Sequence, residues 1–160
     1  MKLIKYFIQF LIISTLFLLF KVLGLKLSSR LSKTLFSLIG PFFRSRQVVY
    51  KNISRAFPNL NKNEINKISK TMWENYGRIL SEYLFLNEFR LKDKIEIKGQ
   101  EILDRIKKDN ERVIFVSGHF NNFELMAMHI EKSGINLAAV YRPLNNTFLN
   151  FIMEKIRKKY

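Results

Sequence analysis

The sequence predicts an α/β chain: an N-terminal membrane helix and amphipathic helices, followed by a β-α-β-α parallel-sheet core. Three observations predict it. An uncharged apolar stretch, YFIQFLIISTLFLLF, fills residues 6–20. Two short continuous apolar runs, VIFVS at 113–117 and LAAVY at 137–141, read as strands buried on both faces. A helical pattern follows each run, the order that a parallel sheet with crossover helices requires.

Residues 6–20 contain only Gln9, Ser14 and Thr15 as polar side chains. Fifteen residues fall short of the roughly 20 needed to cross a hydrocarbon core. Extension to Leu25 reaches that length and takes in Lys21, whose stem can snorkel. A tilted span and a deep interfacial anchor both fit. A cleaved signal peptide is the alternative, but Lys21, Lys26 and Arg30 stand where small cleavage-site residues are expected. Basic residues flank both ends, so charge bias leaves the orientation open. Leu31, Leu35, Leu38, Ile39 and Phe42 then recur at helical spacing, either in the headgroup plane or against a core.

Asn61 and Glu64 form a capping-box pattern, so a helix is expected to start near Lys62. Ile65, Ile68, Met72, Trp73, Tyr76, Ile79, Leu80, Tyr83 and Leu84 trace its core face. KIEIK at 94–98 alternates like a strand, and residues 100–108 look helical. After the first buried run, residues 122–132 read as a helix closed by Gly134. After the second come a loop at 142–146 and a helix from Thr147 to Lys159, still running at the last residue.

Composition narrows the function classes. With 160 residues, 48% hydrophobic, the chain is long enough for a real core. Without cysteine it has no disulfide framework, thiolate zinc site or cysteine nucleophile. The net charge is +15, and +11 of it lies in residues 1–63, where the eleven bases meet no acid before Glu64. Such a stretch suits anionic lipid, an acidic protein or nucleic acid. Its bases are interleaved with a greasy run rather than a stacking platform, which argues against nucleic acid.

Ligands of a parallel sheet gather at the carboxyl ends of its strands. There the first run leads into SGHFNNFE, with His119 and Glu124. Within one helix the two would stand about 140° apart. With His119 on the preceding turn, Glu124 can reach back, fix one ring nitrogen and leave the other as a base. Alternatively Asn121 and Glu124 are a capping box, and the carboxylate is spent on backbone N–H groups. Arg142 follows the second run, placed either to clamp a phosphate or to make a surface salt bridge. On spacing alone, Arg157 with Lys155, Lys158 and Lys159 is a solvated helix face.

HFNNFE after an apolar strand, with VYRPLNN about twenty residues later, resembles the bacterial lipid A late acyltransferases, the Kdo(2)-lipid A lauroyl/myristoyl acyltransferase family. Further pieces match in order: Arg46, Asn52-Ile53, Ala56-Phe57-Pro58, Tyr76-Gly77-Arg78 with Glu82, and Ile97, Gly99 and Glu101. The resemblance implies a bacterial inner-membrane enzyme with its catalytic part on the cytoplasmic side. It would move a fatty acyl group from acyl carrier protein to a hydroxyl of a lipid A precursor, with no cofactor and no metal. Carried over, His119 is the general base and Glu124 orients it. Arg157 becomes the candidate cation for the oxyanion, with Arg142 and Glu82 in substrate-binding or supporting roles. Acyl carrier protein is acidic and lipid A precursors carry phosphates, so a basic protein suits both, together with membrane lipids.

Family members are typically nearly twice this length. The expectation is therefore a membrane anchor at 1–27 and, at 28–160, the N-terminal part of an α/β acyltransferase domain, truncated at the C-terminus. Two other readings stay open. One is a glycerolipid or other glycolipid acyltransferase using the same dyad, although glycerol-phosphate acyltransferases usually show Asp at the place of Glu124. The other is an inactive membrane-anchored fragment. Acyl chain length, acceptor position and order of action are not legible.

Overall fold

The computed structural model describes residues 2–91 and 94–158. Its elements are α1 (Lys2–Ile39), α2 (Arg46–Ala56), α3 (Lys62–Glu82), α4 (Leu86–Leu91), α5 (Gln100–Lys108), α6 (Glu124–Lys132) and α7 (Thr147–Arg157), with 3₁₀ turns at Gly40–Phe42 and Tyr83–Phe85. The apolar run and the amphipathic pattern after it form α1, two helical segments joined by a kink at Gly24 (φ 73°, ψ 169°).

The expected parallel sheet is absent, and the α/β class is corrected: no strand occurs among the described residues. Residues 94–98, 113–117 and 137–140 are irregular. Ile114 and Val116 are 91% and 89% exposed, and Val140 is fully exposed, whereas strands of a parallel sheet are buried on both faces. A strand exists only through hydrogen bonds to a neighbour distant in sequence. A short apolar run records its own burial preference and carries no information about that neighbour. The helices do follow their local signals. Asn61 Oδ1 accepts from the Glu64 N–H at 3.1 Å, and Glu64 Oε2 accepts from the Asn61 N–H at 2.8 Å, so the capping box is complete. α5 spans the expected residues, and α6 ends just before Gly134. α7 is described to Arg157; its expected extension through Lys159 lies outside the described residues.

The chain divides into two compact units, Leu18–Glu82 and Met1–Phe17 with Tyr83–Tyr160. In the first, α2 packs on α3. The buried face of α3 is Ile65, Trp73, Gly77 and Ser81, while Ile68 and Tyr76 of the expected stripe are exposed. Close approach to α1 causes this rotation. Ser32 Oγ donates to the Gly77 carbonyl at 2.6 Å, and a Cβ on Gly77 would stand 2.3 Å from the Ser32 carbonyl oxygen. Lys33 and Glu74 pair nearby at 3.4 Å. A cleft of about 510 Å³ in this unit has Ile65 and Trp73 among its walls, together with Arg44, Arg46, Lys51 and Lys70.

In the second unit α4 packs on α6. Arg90 Nη1 meets Glu131 at 2.5 Å, and Lys132 donates to the Arg90 carbonyl at 2.7 Å. Phe85, Leu86, Ile106, Met128 and Ile130 are buried here. Asn146 caps α7 by accepting from the N–H groups of Phe148 and Leu149, and its Nδ2 donates to the Tyr6 carbonyl at 2.9 Å and to Gln9 Oε1 at 3.2 Å. The ring of Phe148 lies against Phe7 and Phe10, at centroid distances of 5.8 and 5.7 Å.

Candidate active site

Within the unit that holds α6 and α7, a cavity of about 700 Å³ is lined by His119, Glu124, Arg142, Arg157, Tyr83 and Tyr141, among others. Four of the five residues singled out in the sequence therefore share one cavity wall. Glu82, half-buried at the end of α3, belongs to the other unit and is not among the lining residues.

Glu124 opens α6 and is only 5% exposed. A carboxylate buried that deeply is tolerated only if paired and hydrogen-bonded. Arg157, in the last turn of α7, supplies the charge. Its Nε stands 3.0 Å from Oε1 and 3.2 Å from Oε2, and its Nη2 also donates to Oε1. The Tyr83 hydroxyl donates to the same oxygen. Each helix end suits the charge it bears, an acid at the start of α6 and a base at the end of α7. Burial raises the Tyr83 pKa far above the usual tyrosine value, and the hydrogen bond to Glu124 and the negative charge add to it. Burial alone would depress Arg157, but the Glu124 hydrogen bond and charge outweigh it, so the guanidinium is held charged.

Nε and Nη2 of Arg157 are thus committed to Glu124, with Nη2 also 3.4 Å from the Tyr83 hydroxyl. Its Nη1 makes no hydrogen bond among the described residues. The guanidinium carbon lies 5.2 Å from the centre of the Tyr141 ring, within cation–π range. Tyr141 is fixed in turn: its hydroxyl donates to Glu154 Oε1 at 2.9 Å, and Asn150 donates to that oxygen at 2.7 Å. That hydrogen bond holds the Tyr141 pKa above its ordinary value.

His119 lies in the irregular segment before α6, exposed, its ring edge-on to Phe123 at 4.7 Å between centroids. Asn121 adopts φ 49°, and α6 starts at Glu124 with Phe123 as an N-cap that makes no side-chain capping bond. Arg142 is exposed at the cavity. The arrangement offers an accessible imidazole and a cation whose orientation is set from behind by a buried acid. Among the described residues no group of three or more acidic or histidine side chains is placed to hold a metal.

Sequence reasoning missed Tyr83, counted among the core stripe, and Tyr141, passed over for the arginine beside it. The signal available for Tyr83 was its place next to Glu82, at the edge of a matched motif.

The family model for bacterial lipid A biosynthesis acyltransferases matches residues 1–160. The lipid A biosynthesis myristoyltransferase of Escherichia coli (strain K12) is 22% identical over 119 residues, which cover 72% of this chain and 37% of that protein. Lipid A biosynthesis acyltransferase 2 of Shigella flexneri is 23% identical over 120 residues, covering 73% and 38%. The matched stretch thus spans little more than a third of these relatives. No solved structure matches the chain.

Proposed function

The chain belongs to the bacterial lipid A biosynthesis acyltransferase family, and we propose that it contributes the catalytic wall for moving a fatty acyl group from acyl carrier protein to a hydroxyl of a lipid A precursor. The acceptor hydroxyl attacks the thioester carbonyl as His119 takes its proton. The tetrahedral oxyanion forms facing Arg157, the C–S bond breaks, and the thiolate leaves with the proton from His119. No acyl-enzyme is formed and no metal or cofactor takes part. Glu124 works chiefly through Arg157: it fixes the guanidinium by Nε and Nη2, at the wall of the cavity that Arg157 lines. Arg142, exposed at the same cavity, meets a phosphate of the acceptor. Acyl carrier protein is cytoplasmic, which puts the reaction at the cytoplasmic face of the inner membrane.

The observation that carries this reading is the Arg157–Glu124 pair in one cavity with His119. The experiment is transfer of labelled acyl groups from acyl carrier protein by membranes containing the protein, with a lipid A precursor and glycerol 3-phosphate offered in parallel. Label is expected in the lipid A precursor, and His119→Ala is expected to lower transfer by about 10²-fold or more. Undiminished transfer by His119→Ala overturns the mechanism, and preferential labelling of glycerol phosphate overturns the acceptor.

A further inference from the structure

The cleft of about 510 Å³ lies wholly within the unit Leu18–Glu82, and the proposed reaction makes no use of it. We propose that it is a separate binding site for a phosphate ester. The phosphate lies among Arg44, Arg46, Lys51 and Lys70, and the apolar group of the ester lies beside Trp73.

Helical spacing brings these residues together. Arg46, Gln47, Tyr50 and Lys51 share one face of α2. Asn66, Ser69, Lys70 and Trp73, at i, i+3, i+4 and i+7, share one face of α3. α2 packs on α3, and the turn after α1 adds Pro41 and Arg44 to the wall. No acid lines the cleft. The acids of this unit stand elsewhere: Glu64 caps α3 at Asn61, Glu74 pairs with Lys33, and Glu82 is at the C-terminal end of α3. α2 also starts here, with no capping bond from the Ser45 side chain, so its positive end adds to the cations. Arg and Lys suit phosphate oxygens, and Asn66 and Ser69 add neutral hydrogen-bonding groups.

Charge alone would admit any anion, and the floor of the cleft narrows the choice. Trp73 is 9% exposed, and its indole packs on Gly40 so closely that no Cβ fits between them. The ring is therefore held in place. Pro41, Val49 and Tyr50 extend an apolar bed between the cations. An inorganic anion leaves that bed wet, whereas an ester covers it. Removing about 50 Å² of apolar surface from water is worth roughly tenfold in affinity. An anionic lipid headgroup and a soluble aromatic phosphate share this chemistry.

Trp73 is the one tryptophan of the chain, so its emission reports on this cleft alone. The full chain in nonionic detergent is titrated with phenyl phosphate, short-chain phosphatidylglycerol and inorganic pyrophosphate. At least one of the two esters is expected to change the emission saturably, with a dissociation constant about tenfold below that of pyrophosphate. Saturation by phosphatidylglycerol alone assigns a lipid headgroup; saturation by phenyl phosphate alone assigns a soluble ester. Arg46→Gln with Lys70→Gln is expected to weaken binding about tenfold or more. Arg55→Gln with Lys108→Gln, which removes the same charge from exposed positions outside the cleft, is expected to leave it unchanged. The proposal is overturned if neither ester saturates, if pyrophosphate binds as tightly as the better ester, or if the two double variants weaken binding equally.

Discussion

Arg157 lines one cavity with its guanidinium tied to the buried carboxylate of Glu124. Arg44, Arg46, Lys51 and Lys70 line another, in the unit of residues 18–82, and among the described residues none of them pairs with a carboxylate. The first cation is held in one orientation by an acid, a tyrosine hydroxyl and an aromatic face. The others are exposed and constrained by nothing but their own stems. A pinned cation suits stabilisation of a charge that appears at one point in a reaction; a loose group of cations raises the local concentration of anions without selecting their geometry. Deleting a cation should therefore have very unequal consequences in the two places.

The largest effect is expected for Arg157→Ala. It leaves Glu124 buried without the Arg157 charge, at a cost of about 3 kcal/mol, and removes the proposed oxyanion partner, which in the proposed reaction lowers transfer by about 10²- to 10³-fold. Arg46→Ala should change stability by less than about 0.5 kcal/mol, because no partner is orphaned. Urea midpoints of the two variants, measured side by side, test the contrast. Equal losses would mean that the pinned and the loose cations are energetically alike.

Gly77→Ala is next, and it tests whether the cleft-bearing unit depends on backbone approach rather than on charge. The added Cβ would stand 2.3 Å from the Ser32 carbonyl oxygen. Backbone cannot yield as a side-chain tip does, so α1 and α3 must separate, at about 2 kcal/mol. Ser32→Ala, which deletes only the 2.6 Å hydrogen bond to Gly77, should cost about 1 kcal/mol in the same unfolding measurement.

Tyr83→Phe sharpens the picture of the paired cavity through pH. Burial and Glu124 raise the folded-state pKa of Tyr83 above its unfolded value. The hydroxyl therefore contributes fully below about pH 10, and stability falls as pH rises beyond that, where the unfolded chain loses the proton first. Tyr83→Phe should lower stability by about 1.5 kcal/mol at neutral pH, for the lost hydrogen bond to a charged group, and flatten the alkaline decline. Denaturation midpoints between pH 8 and 11 check both.

How much of this was legible in sequence depended on distance along the chain. The α3 start at Asn61–Glu64, the α5 limits and the α6 end at Gly134 are set by neighbours within four residues, and each was readable. The strands at 113–117 and 137–141 were wrongly expected, because pairing is decided by partners that local apolarity does not encode. The rotation of α3 was hidden for a related reason: Gly77 and Ser81 add little to an apolar stripe, yet small size is what a tight helix contact selects. His119, Glu124, Arg142 and Arg157 were legible through motif resemblance, and the structure gathers them at one cavity. The Arg157–Glu124 bond was not legible, since residues 33 apart carry no spacing signal.

The smallest expected effect concerns the loose cations themselves. Four positive side chains around one cleft repel each other, and screening by water and salt keeps that cost low. A multivalent anion should relieve it. Millimolar inorganic pyrophosphate is expected to stabilise the protein by on the order of 0.5 kcal/mol at low ionic strength, and the gain should fade as salt approaches physiological strength. Arg46→Gln combined with Lys70→Gln should remove most of the gain, whereas Arg142→Gln, at the other cavity, should remove only a minor part of it. A gain that survives the double substitution but disappears with Arg142→Gln would place the anion-attracting surface at the Arg157 cavity and erase the distinction between the two regions.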